Sequence, residues 1–218
     1  MIAPHLGALV HLTLPDGSVC GRDEHRLDVM SGWMRRNRNL LDGKRVLDLG
    51  SNTGHFPIVM AQLGARVVSV EPDPKNLAFF ADLLAVYEFG QPEIEILERN
   101  LRDVDYAAEV GSCDVLSTLG LIYHMNRPWQ ILDHVLKATG ASLWLLESSI
   151  WPEISEVWEG GNGCSDRSFS QEFVLHPTAE EVERGIRECG FVPERVDLGP
   201  DYRSEDKTPR GFWMATKA

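Results

Sequence analysis

The sequence contains few cysteines and no long apolar run. The four cysteines, Cys20, Cys113, Cys164 and Cys189, form no CxxC motif and have no histidine at metal-ligand spacing, which excludes the common zinc motifs. Reduced thiols of this kind are typical of cytosolic proteins. No apolar run approaches membrane-spanning length, and the N-terminus lacks the basic start and apolar core of a secretory signal. We therefore expect a cytoplasmic protein that binds no metal and no membrane.

The sequence is also short of basic residues, with 21 lysines and arginines against 33 aspartates and glutamates, and its formal net charge is -12 at pH 7. Binding to nucleic acid without sequence preference depends on lysine and arginine side chains that neutralise phosphates. The charge disfavours a nucleic-acid partner, although a local basic patch stays compatible with one. The 218 residues, 43% hydrophobic and 25% charged, predict one globular domain with small additions.

Two kinds of pattern alternate along the chain from Lys44 onward. Short apolar runs predict buried strands, and apolar residues at helical spacing predict helices between them. Strands that alternate with helices need crossover connections, so we expect an α/β fold with a doubly wound, mostly parallel sheet and helices on both faces. The predicted strands are 45–49, 66–70, 93–97, 113–119, 141–147, 191–198 and 211–217, and the predicted helices are 55–64, 74–89, 128–139 with Asn126 as its cap, and one that starts at a capping box, Thr178 with Glu181.

Other segments flank or interrupt this core. Residues 8–20 alternate apolar and polar around a Pro-Asp-Gly turn, which predicts a hairpin, and residues 24–40 show helical spacing. We expect residues 1–43 to form this hairpin and helix as an extension of the domain at 44–218. Residues 148–177, rich in Trp, Glu, Gly and Ser, are too long for an ordinary connection and are typical of a substrate-binding insertion.

The stretch VLDLGSNTGHF, residues 46–56, changes from apolar to glycine-rich within a few positions. A buried strand that ends in a glycine turn and leads into a helix places backbone N–H groups and a helix N-terminus against a ligand. An ordinary strand-to-helix turn would have the same pattern. Glu71 favours the ligand site, because it ends the next strand, where a carboxylate accepts both hydroxyls of a ribose.

The glycine spacing indicates which nucleotide the turn binds. A dinucleotide-binding turn has the pattern GxGxxG, whereas this turn has Gly50 and Gly54, with Asn52 where the middle glycine would be. Asparagine tolerates a left-handed backbone, but its side chain would crowd a pyrophosphate. The spacing therefore disfavours a dinucleotide.

With Asp48 before it, the turn resembles the cofactor loop of class I S-adenosylmethionine-dependent methyltransferases. That family has an acidic residue followed by GxGxG under the methionine part of the cofactor, and some members carry GxNxG. The resemblance implies that S-adenosylmethionine is the cofactor. It assigns the methionine part to Asp48, Gly50, Asn52 and Gly54, the ribose to Glu71, the adenine to Asn100 and Leu101, and the sulfonium to Leu119 with Gly120.

The resemblance extends over roughly residues 44–217 and implies a Rossmann-like seven-stranded sheet whose last strand is antiparallel. Within the family, the motifs TLGLIYHMNRPWQIL, LLES and GFWMATK are most similar to the group that includes the tRNA wobble-uridine carboxymethyltransferase.

The resemblance also indicates where the chemistry occurs. The cofactor supplies an activated methyl group, and the protein aligns the acceptor and excludes water. His124 is the candidate base, because the stretch after the fourth strand opens onto the methyl group and imidazole titrates near neutral pH. Its alternative role is to orient the loop. Tyr123 would shape the pocket or bind substrate, or belong to the core, and His55 would lie over the cofactor or simply begin a helix.

Several side chains are candidates for binding the acceptor, each with a structural alternative. Glu147 ends the fifth strand, where it would orient an amine or hydroxyl or be a satisfied buried carboxylate. Arg127 and Arg210 are candidates for an acidic substrate, although most arginines are solvated. The aromatic candidates for a pocket wall, which also suit ordinary packing, are Trp151, Trp158 and His176.

These features predict a methyltransferase that acts on an oxygen or nitrogen of a small molecule in a biosynthetic tailoring step, because little chain is left for a macromolecule-binding domain. One alternative is an RNA-modifying transferase related to the wobble-uridine enzyme, for which we expect a basic groove beside the cofactor. The other is a non-catalytic nucleotide-binding or partner-activating subunit on the same fold. No cluster of oxygen ligands indicates a metal.

Overall fold

The computed structural model of the protein describes most of the chain. The described residues are 11–15, 17, 19–21, 25–89, 93–151, 156–158, 174–199, 202 and 208–218, with backbone alone for 20–21, 156–158 and 174–176. No helix within these ranges is long and apolar enough to span a membrane.

The predicted N-terminal hairpin and helix are confirmed. Strand β1 (His11–Thr13) pairs antiparallel with β2 (Val19–Gly21), and helix α1 (His25–Arg36) follows. The helix buries Leu27 and Met30 in the same cluster as residues of the central sheet. This N-terminal extension is therefore continuous with the main core.

Seven strands form the central sheet, in the order β10-β11-β7-β6-β3-β4-β5. The elements after α1 are β3 (Arg45–Leu49), α2 (His55–Gln62), β4 (Arg66–Val70), α3 (Pro74–Tyr87), β5 (Ile94–Leu97), β6 (Val115–Leu119), α4 (Pro128–Thr139), β7 (Leu143–Ser149), β8 (Glu156–Trp158), β9 (Val174–His176), α5 (Ala179–Glu188), β10 (Phe191–Arg195) and β11 (Arg210–Lys217), with 3-10 turns at Arg38–Leu40 and Ile122–His124 and a π turn at Tyr106–Val110. Strand β11 is antiparallel to both neighbours, and the pairs from β7 to β5 are parallel. The predicted fold class is confirmed.

Apolar side chains cover both faces of this sheet. Successive residues of a strand point to opposite faces, so Val46 and its neighbour Leu47 belong to two different clusters. The cluster with Val46 includes residues of α1, α2 and α3, and the cluster with Leu47 includes residues of α4 and α5. Because helices cover both faces of the sheet, a ligand-binding site is expected at the ends of the strands.

One predicted helix cap is wrong. The sequence suggested Asn126 as the cap of α4, but Arg127 is the last residue before the helix and has a left-handed backbone, with φ 56° and ψ 54°. The reason is Pro128, which occupies the first helical position and bars a helical conformation from the residue before it. The predicted capping box of α5 is confirmed, because the Thr178 and Glu181 side chains each bond the other's backbone N–H.

The predicted insertion at 148–177 contains a pair of strands. Within the described part of this segment, β8 and β9 pair antiparallel, and β9 lies against the 3-10 turn at Ile122–His124. The backbones of Trp158 and His176 belong to β8 and β9, but their side chains lie outside the described residues.

Candidate active site

The carboxyl ends of the parallel strands bring the predicted cofactor residues to one edge of the sheet. Gly50 follows β3, Glu71 follows β4, and Gly120 follows β6. Strand β7 ends at the same edge, and Glu147 pairs with Leu119 of β6 in the sheet. Ligands of open α/β sheets bind in the crevice outside such strand ends.

Two positions of the glycine turn at the end of β3 have a backbone conformation that favours glycine. Gly50 and Gly54 have φ of 71° and 88°. A Cβ on Gly54 would lie 2.1 Å from the Phe80 ring, and one on Gly50 would lie 2.9 Å from Leu121. Asn52 also has positive φ, at 50°, which asparagine tolerates better than most residues. The sequence pattern therefore reflects the shape of the turn.

Glu71 connects this turn to the end of β4 through hydrogen bonds. Its carboxylate accepts hydrogen bonds from the backbone N–H of Asn52 at 2.9 Å, from the N–H of Asp73 at 3.0 Å and from Nδ2 of Asn76 at 3.1 Å. The side chain is buried. Glu71 therefore has a fixed orientation at the position that the sequence assigned to the ribose.

Asp48 lies beneath the turn in a buried polar row. Its Oδ1 accepts a hydrogen bond from Ser117 of β6 at 2.5 Å. Burial raises the pKa of Asp48 to about 7. The hydrogen bond from Ser117 lowers this pKa, and the negative charge of Glu71 raises it. Asp48 therefore titrates near neutral pH.

Ser51 provides a test of whether the turn fits the polar end of a cofactor. Its Oγ is buried and has no hydrogen-bond partner among the described residues. A buried hydroxyl without a partner costs free energy, so a polar ligand group in the turn would satisfy it. The turn therefore fits a ligand with hydrogen-bonding groups, such as the methionine part of S-adenosylmethionine.

The residues predicted to lie near the adenine follow β5. Oδ1 of Asn100 accepts from the N–H of Arg102 at 3.1 Å, which closes a turn. Leu101 is buried, and its carbonyl accepts from the Tyr106 hydroxyl at 2.7 Å. Both residues lie at the carboxyl edge, where the prediction requires them.

A buried ion cluster joins three distant parts of the chain at Glu147. Arg26 donates from Nη1 to Oε2 of Glu147 at 3.0 Å, and Arg210 donates from Nη2 to the same oxygen at 2.9 Å and from Nε to Oε1. Burial alone would raise the pKa of Glu147, but the two arginine charges outweigh it and hold the pKa below the usual range. Of the two predicted roles, the satisfied buried carboxylate matches this geometry.

The Glu147 cluster extends to Tyr123, which the sequence indicated as a pocket residue. Arg210 donates from Nη2 to the Tyr123 hydroxyl at 3.0 Å, and its guanidinium lies 5.0 Å from the centre of the Tyr123 ring. A Cβ on Gly120 would lie 3.4 Å from the same hydroxyl. The Tyr123 hydroxyl therefore lies near the backbone position predicted to lie beside the sulfonium.

His124 and His55 differ in their surroundings. The His124 ring is half-buried and lies against the Tyr123 ring, with centroids 4.2 Å apart. His55, the first residue of α2, is buried against the N-terminal extension, where its ring nitrogens bond the backbone N–H of His11 and the hydroxyl of Ser31. Burial lowers the pKa of His55 to about 3, so its imidazole is neutral and has the role of a structural anchor.

A cavity of about 290 Å³ opens beside the Glu147 cluster. We call it the β10–β11 cavity, because it lies where β10 ends and β11 begins. Tyr202 and Arg210 line it, and both also contact Glu147. The other lining residues within the described part of the chain are Arg195, Val196, Asp197, Leu198, Gly199 and Gly211.

Two predicted acceptor-binding residues have exposed side chains. Arg127 is exposed at the start of α4, and Trp151 is 41% exposed after β7. The structure brings neither into the Glu147 cluster or the lining of the β10–β11 cavity. Of the two arginines proposed for an acidic substrate, Arg210 alone lies at the cavity.

Sequence reasoning missed Arg26, Arg195 and Tyr202. A signal for Arg26 was present, because it lies four positions before Met30, on the apolar stripe of α1. A charged residue on such a stripe indicates a buried partner. Tyr202 lies between strands, where no periodic pattern indicated its burial.

Among the described residues, no group of three or more His, Cys, Asp or Glu side chains is arranged to hold a metal.

A family model described as a methyltransferase domain matches residues 23–153. The chain belongs to this methyltransferase family. The match confirms the resemblance to class I S-adenosylmethionine-dependent methyltransferases, and it includes the glycine turn, Glu71, Tyr123 and Glu147.

The chain is also similar to curated tRNA U34 carboxymethyltransferases. It is 30% identical over 172 residues to the one from Alcanivorax borkumensis, which covers 75% of this chain and 50% of that protein. It is 32% identical over 191 residues to the one from Pseudomonas putida, which covers 84% of this chain and 56% of that protein. The methyltransferase chain thus spans about half the length of the curated relatives it matches.

Solved structures share the fold. The N-terminal domain of EvdMO1, in the presence of SAH and D-fucose, has a TM-score of 0.72 at 16% identity and covers 100% of this chain and 92% of that chain. The 1,6-didemethyltoxoflavin-N1-methyltransferase of Burkholderia thailandensis, with S-adenosylhomocysteine bound, has a TM-score of 0.66 at 16% identity and covers 90% and 80%. At these identities the likeness establishes the fold of the methyltransferase family alone.

Proposed function

We propose that this protein is an S-adenosylmethionine-dependent methyltransferase that methylates an oxygen or nitrogen of a small molecule in a biosynthetic tailoring step. The observation that supports a small acceptor most directly is the β10–β11 cavity, whose 290 Å³ is close to the lower size of small-molecule pockets. The cavity adjoins the Glu147 cluster, which borders Gly120. The net charge of -12 is a second argument against a phosphate-rich acceptor.

The proposed cofactor residues are those at the ends of β3 to β6. Asp48, Gly50, Asn52 and Gly54 would hold the methionine part, Glu71 the ribose, Asn100 and Leu101 the adenine, and Leu119 the sulfonium. Bound S-adenosylmethionine supplies the activated methyl group. The Ser51 hydroxyl, which has no partner within the described ranges, and the fixed Glu71 carboxylate support this arrangement.

The protein's own contribution is alignment of the acceptor. Arg210, which Glu147 holds in place, donates to the Tyr123 hydroxyl beside Gly120. A fixed hydroxyl there would orient the attacking atom of an acceptor. Residues 148–177 are proposed to cover the acceptor, because β9 lies against the turn that contains His124. Covering this edge would exclude water from the methyl group. His176 and Trp151 would contribute from that segment.

We also propose a cytoplasmic location, in keeping with the free thiols of Cys113 and Cys189.

His124 is proposed as a base for acceptors that arrive protonated. Replacing His124 by Gln should then lower kcat more than it raises KM and should flatten the pH-rate profile near neutrality. His134→Gln, which changes an exposed histidine of α4, is the matched control. A His124→Gln enzyme with an unaltered pH-rate profile would restrict His124 to orienting the loop.

The test of the proposed function is formation of S-adenosylhomocysteine from S-adenosylmethionine in the presence of a panel of small hydroxyl and amine compounds. We expect turnover that depends on a small acceptor and is not stimulated by tRNA. Binding of S-adenosylmethionine without turnover on any acceptor would instead favour the non-catalytic subunit.

An RNA-modifying transferase is the second candidate, and the similarity to tRNA U34 carboxymethyltransferases favours it. The direct test is incubation of the protein with S-adenosylmethionine and tRNA that lacks wobble modification, followed by nucleoside analysis. Modification of tRNA, together with no turnover on small compounds, would replace the proposed acceptor.

A further inference from the structure

We propose that Asp48 is a proton switch beneath the glycine turn, which gives up its proton to solvent when S-adenosylmethionine binds and is ionised in the complex. The identity of the cofactor rests on the proposed function. The linkage between cofactor binding and a proton is a further property of the site, and it follows from what surrounds Asp48 in the folded chain.

Asp48 belongs to a row of polar side chains on one face of the sheet. It pairs with Ser69 of β4 and with Ser117 of β6. Its neighbours in β3, Leu47 and Leu49, pack in the apolar cluster on the opposite face, so the three polar side chains share the other face. Asp48 is 3% exposed. The row therefore holds a carboxyl group away from water.

The Asp48 carboxyl group lacks a counter-ion in the part of the chain that the structure describes. Ser117 donates to its Oδ1 at 2.5 Å, whereas no lysine, arginine or histidine of the described ranges pairs with it. The charge that acts on it is that of Glu71, a second carboxylate just after β4. Burial and a like charge both favour the protonated form of a carboxyl group. They raise the pKa of Asp48 to about 7.

Glu71 is held by neutral donors. Its carboxylate accepts from the backbone N–H groups of Asn52 and Asp73 and from Nδ2 of Asn76. Such donors fix the side chain without bringing a positive charge. When Asp48 is ionised, two carboxylates therefore lie close together beneath and beside the turn, and a ligand with a positive charge would be stabilised there.

Two buried hydroxyl groups indicate independently that a polar ligand belongs at this place. Oγ of Ser51 in the turn and Oγ of Ser69 in the row have no hydrogen-bond partner within the described residues. The two residues are 7% and 0% exposed. Buried hydroxyls without partners cost free energy. A bound cofactor, with the water that it orders, would supply those partners next to Asp48.

The charge of the cofactor changes the balance at Asp48. S-adenosylmethionine is positively charged at its sulfonium sulfur and at its amino group. A positive charge within about 4–6 Å lowers the pKa of a carboxyl group by about 1 to 3. Asp48, whose pKa is about 7 in the cofactor-free protein, should therefore be ionised at neutral pH once the cofactor is bound. The affinity for the cofactor should then rise with pH up to about 7 and level off above it.

Calorimetry in paired buffers that differ in ionisation enthalpy counts the protons released on binding. For S-adenosylmethionine and the natural protein, we expect release of about 0.5 to 1 proton at pH 6 and less than about 0.1 at pH 8.5. Between pH 6 and pH 8 the affinity should rise about five- to tenfold. No proton release at pH 6 would overturn the proposal.

Variants assign the proton to Asp48. Asp48→Asn stays neutral at every pH, so it should release fewer protons at pH 6 and lose most of the gain in affinity. Asp82→Asn, at an exposed aspartate of α3, is the matched control and should retain both effects. Equal proton release by Asp48→Asn and the natural protein would also overturn the proposal.

Ser117→Ala keeps the proposal testable if Asp48→Asn does not bind the cofactor. It removes the hydrogen bond that lowers the pKa of Asp48. The pH at which the affinity levels off should therefore move upward. An unchanged pH, or one that moves downward, would contradict the role of Asp48.

Titration with S-adenosylhomocysteine locates the charge that acts on Asp48. This product keeps the amino group and lacks the sulfonium charge. Proton release equal to that with S-adenosylmethionine would assign the effect to the amino group, and a smaller release would assign it to the sulfonium. The proposed function fails separately, as absence of binding by either ligand at every pH. The proton switch fails as binding without any proton release that depends on Asp48.

Discussion

Arg26 of helix α1 donates a hydrogen bond to Glu147 of strand β7 at 3.0 Å, across 121 positions of the sequence. Both side chains are buried, and Arg210 reaches the same carboxylate from β11. The ion cluster therefore connects the N-terminal extension, strand β7 and the antiparallel strand β11 at the edge where the cofactor is proposed to bind.

Loss of the Glu147 charge should destabilise the fold strongly. Glu147→Gln would leave two buried arginine charges with a weaker partner, and breaking a buried ion pair in this way costs about 3–5 kcal/mol. Urea denaturation measures the free energy of unfolding. Lys137→Gln, which removes an exposed ion pair with Asp133, should change it by about 0.5 kcal/mol or less. A Glu147→Gln loss no larger than that of the control would show that the cluster does not support the fold.

Asp48 should give stability an identifiable pH dependence. Its pKa of about 7 in the folded protein lies above its ordinary value of 3.8, so the folded state holds the proton more tightly than the unfolded state. The stability that this proton contributes is present below about pH 4 and is lost as the pH rises to about 7.

Asp48→Asn stays neutral at every pH and removes this dependence. The free energy of unfolding of Asp48→Asn should therefore be similar to that of the natural protein at pH 4. At pH 8 it should exceed that of the natural protein by up to about 4 kcal/mol. Denaturation of both cofactor-free proteins across this range is the measurement. Parallel stability curves would mean that Asp48 is ionised throughout.

The glycine turn should not accept a methyl group at Gly54. Gly54→Ala would place Cβ 2.1 Å from the Phe80 ring at a φ of 88°, and we expect a loss of at least about 2 kcal/mol in the free energy of unfolding. Gly32→Ala is the matched control, because Gly32 lies in helix α1 and its added Cβ would meet only the end of the Arg36 side chain at 3.4 Å. That change should stabilise the protein by about 0.5–1 kcal/mol. Equal effects of the two substitutions would contradict the described turn.

Glu71 should determine cofactor affinity. Glu71→Ala removes both the proposed ribose contact and the hydrogen bonds to the Asn52 and Asp73 backbone, so we expect S-adenosylmethionine to bind at least about 100-fold more weakly. Calorimetry measures this affinity. Glu93→Gln, at an exposed glutamate just before β5, should have no effect, and an unchanged affinity of Glu71→Ala would remove Glu71 from the ribose.

The fold could be predicted largely from local patterns. The alternation of apolar runs and helical spacing gave the order of strands and helices, because each pattern depends on neighbours within one element. The capping box at Thr178 and Glu181 was legible for the same reason. The α4 cap was mispredicted, since Pro128 overrides the preference of Asn126 for a cap position.

The candidate site was predictable only in part. The glycine turn and Glu71 belong to a short sequence motif, whereas the Glu147 cluster assembles residues from three separate elements. No local pattern tells which arginine reaches Glu147, because that choice depends on how α1 and β11 pack on the sheet. The partners of Tyr123 and the lining of the β10–β11 cavity depend on the same packing.

The most direct test of the account is calorimetric titration of the purified protein with S-adenosylmethionine. We expect saturable binding with a stoichiometry of about one per chain, because the proposed cofactor site is a single site at the carboxyl edge of the sheet. Absence of measurable binding at millimolar cofactor would contradict it.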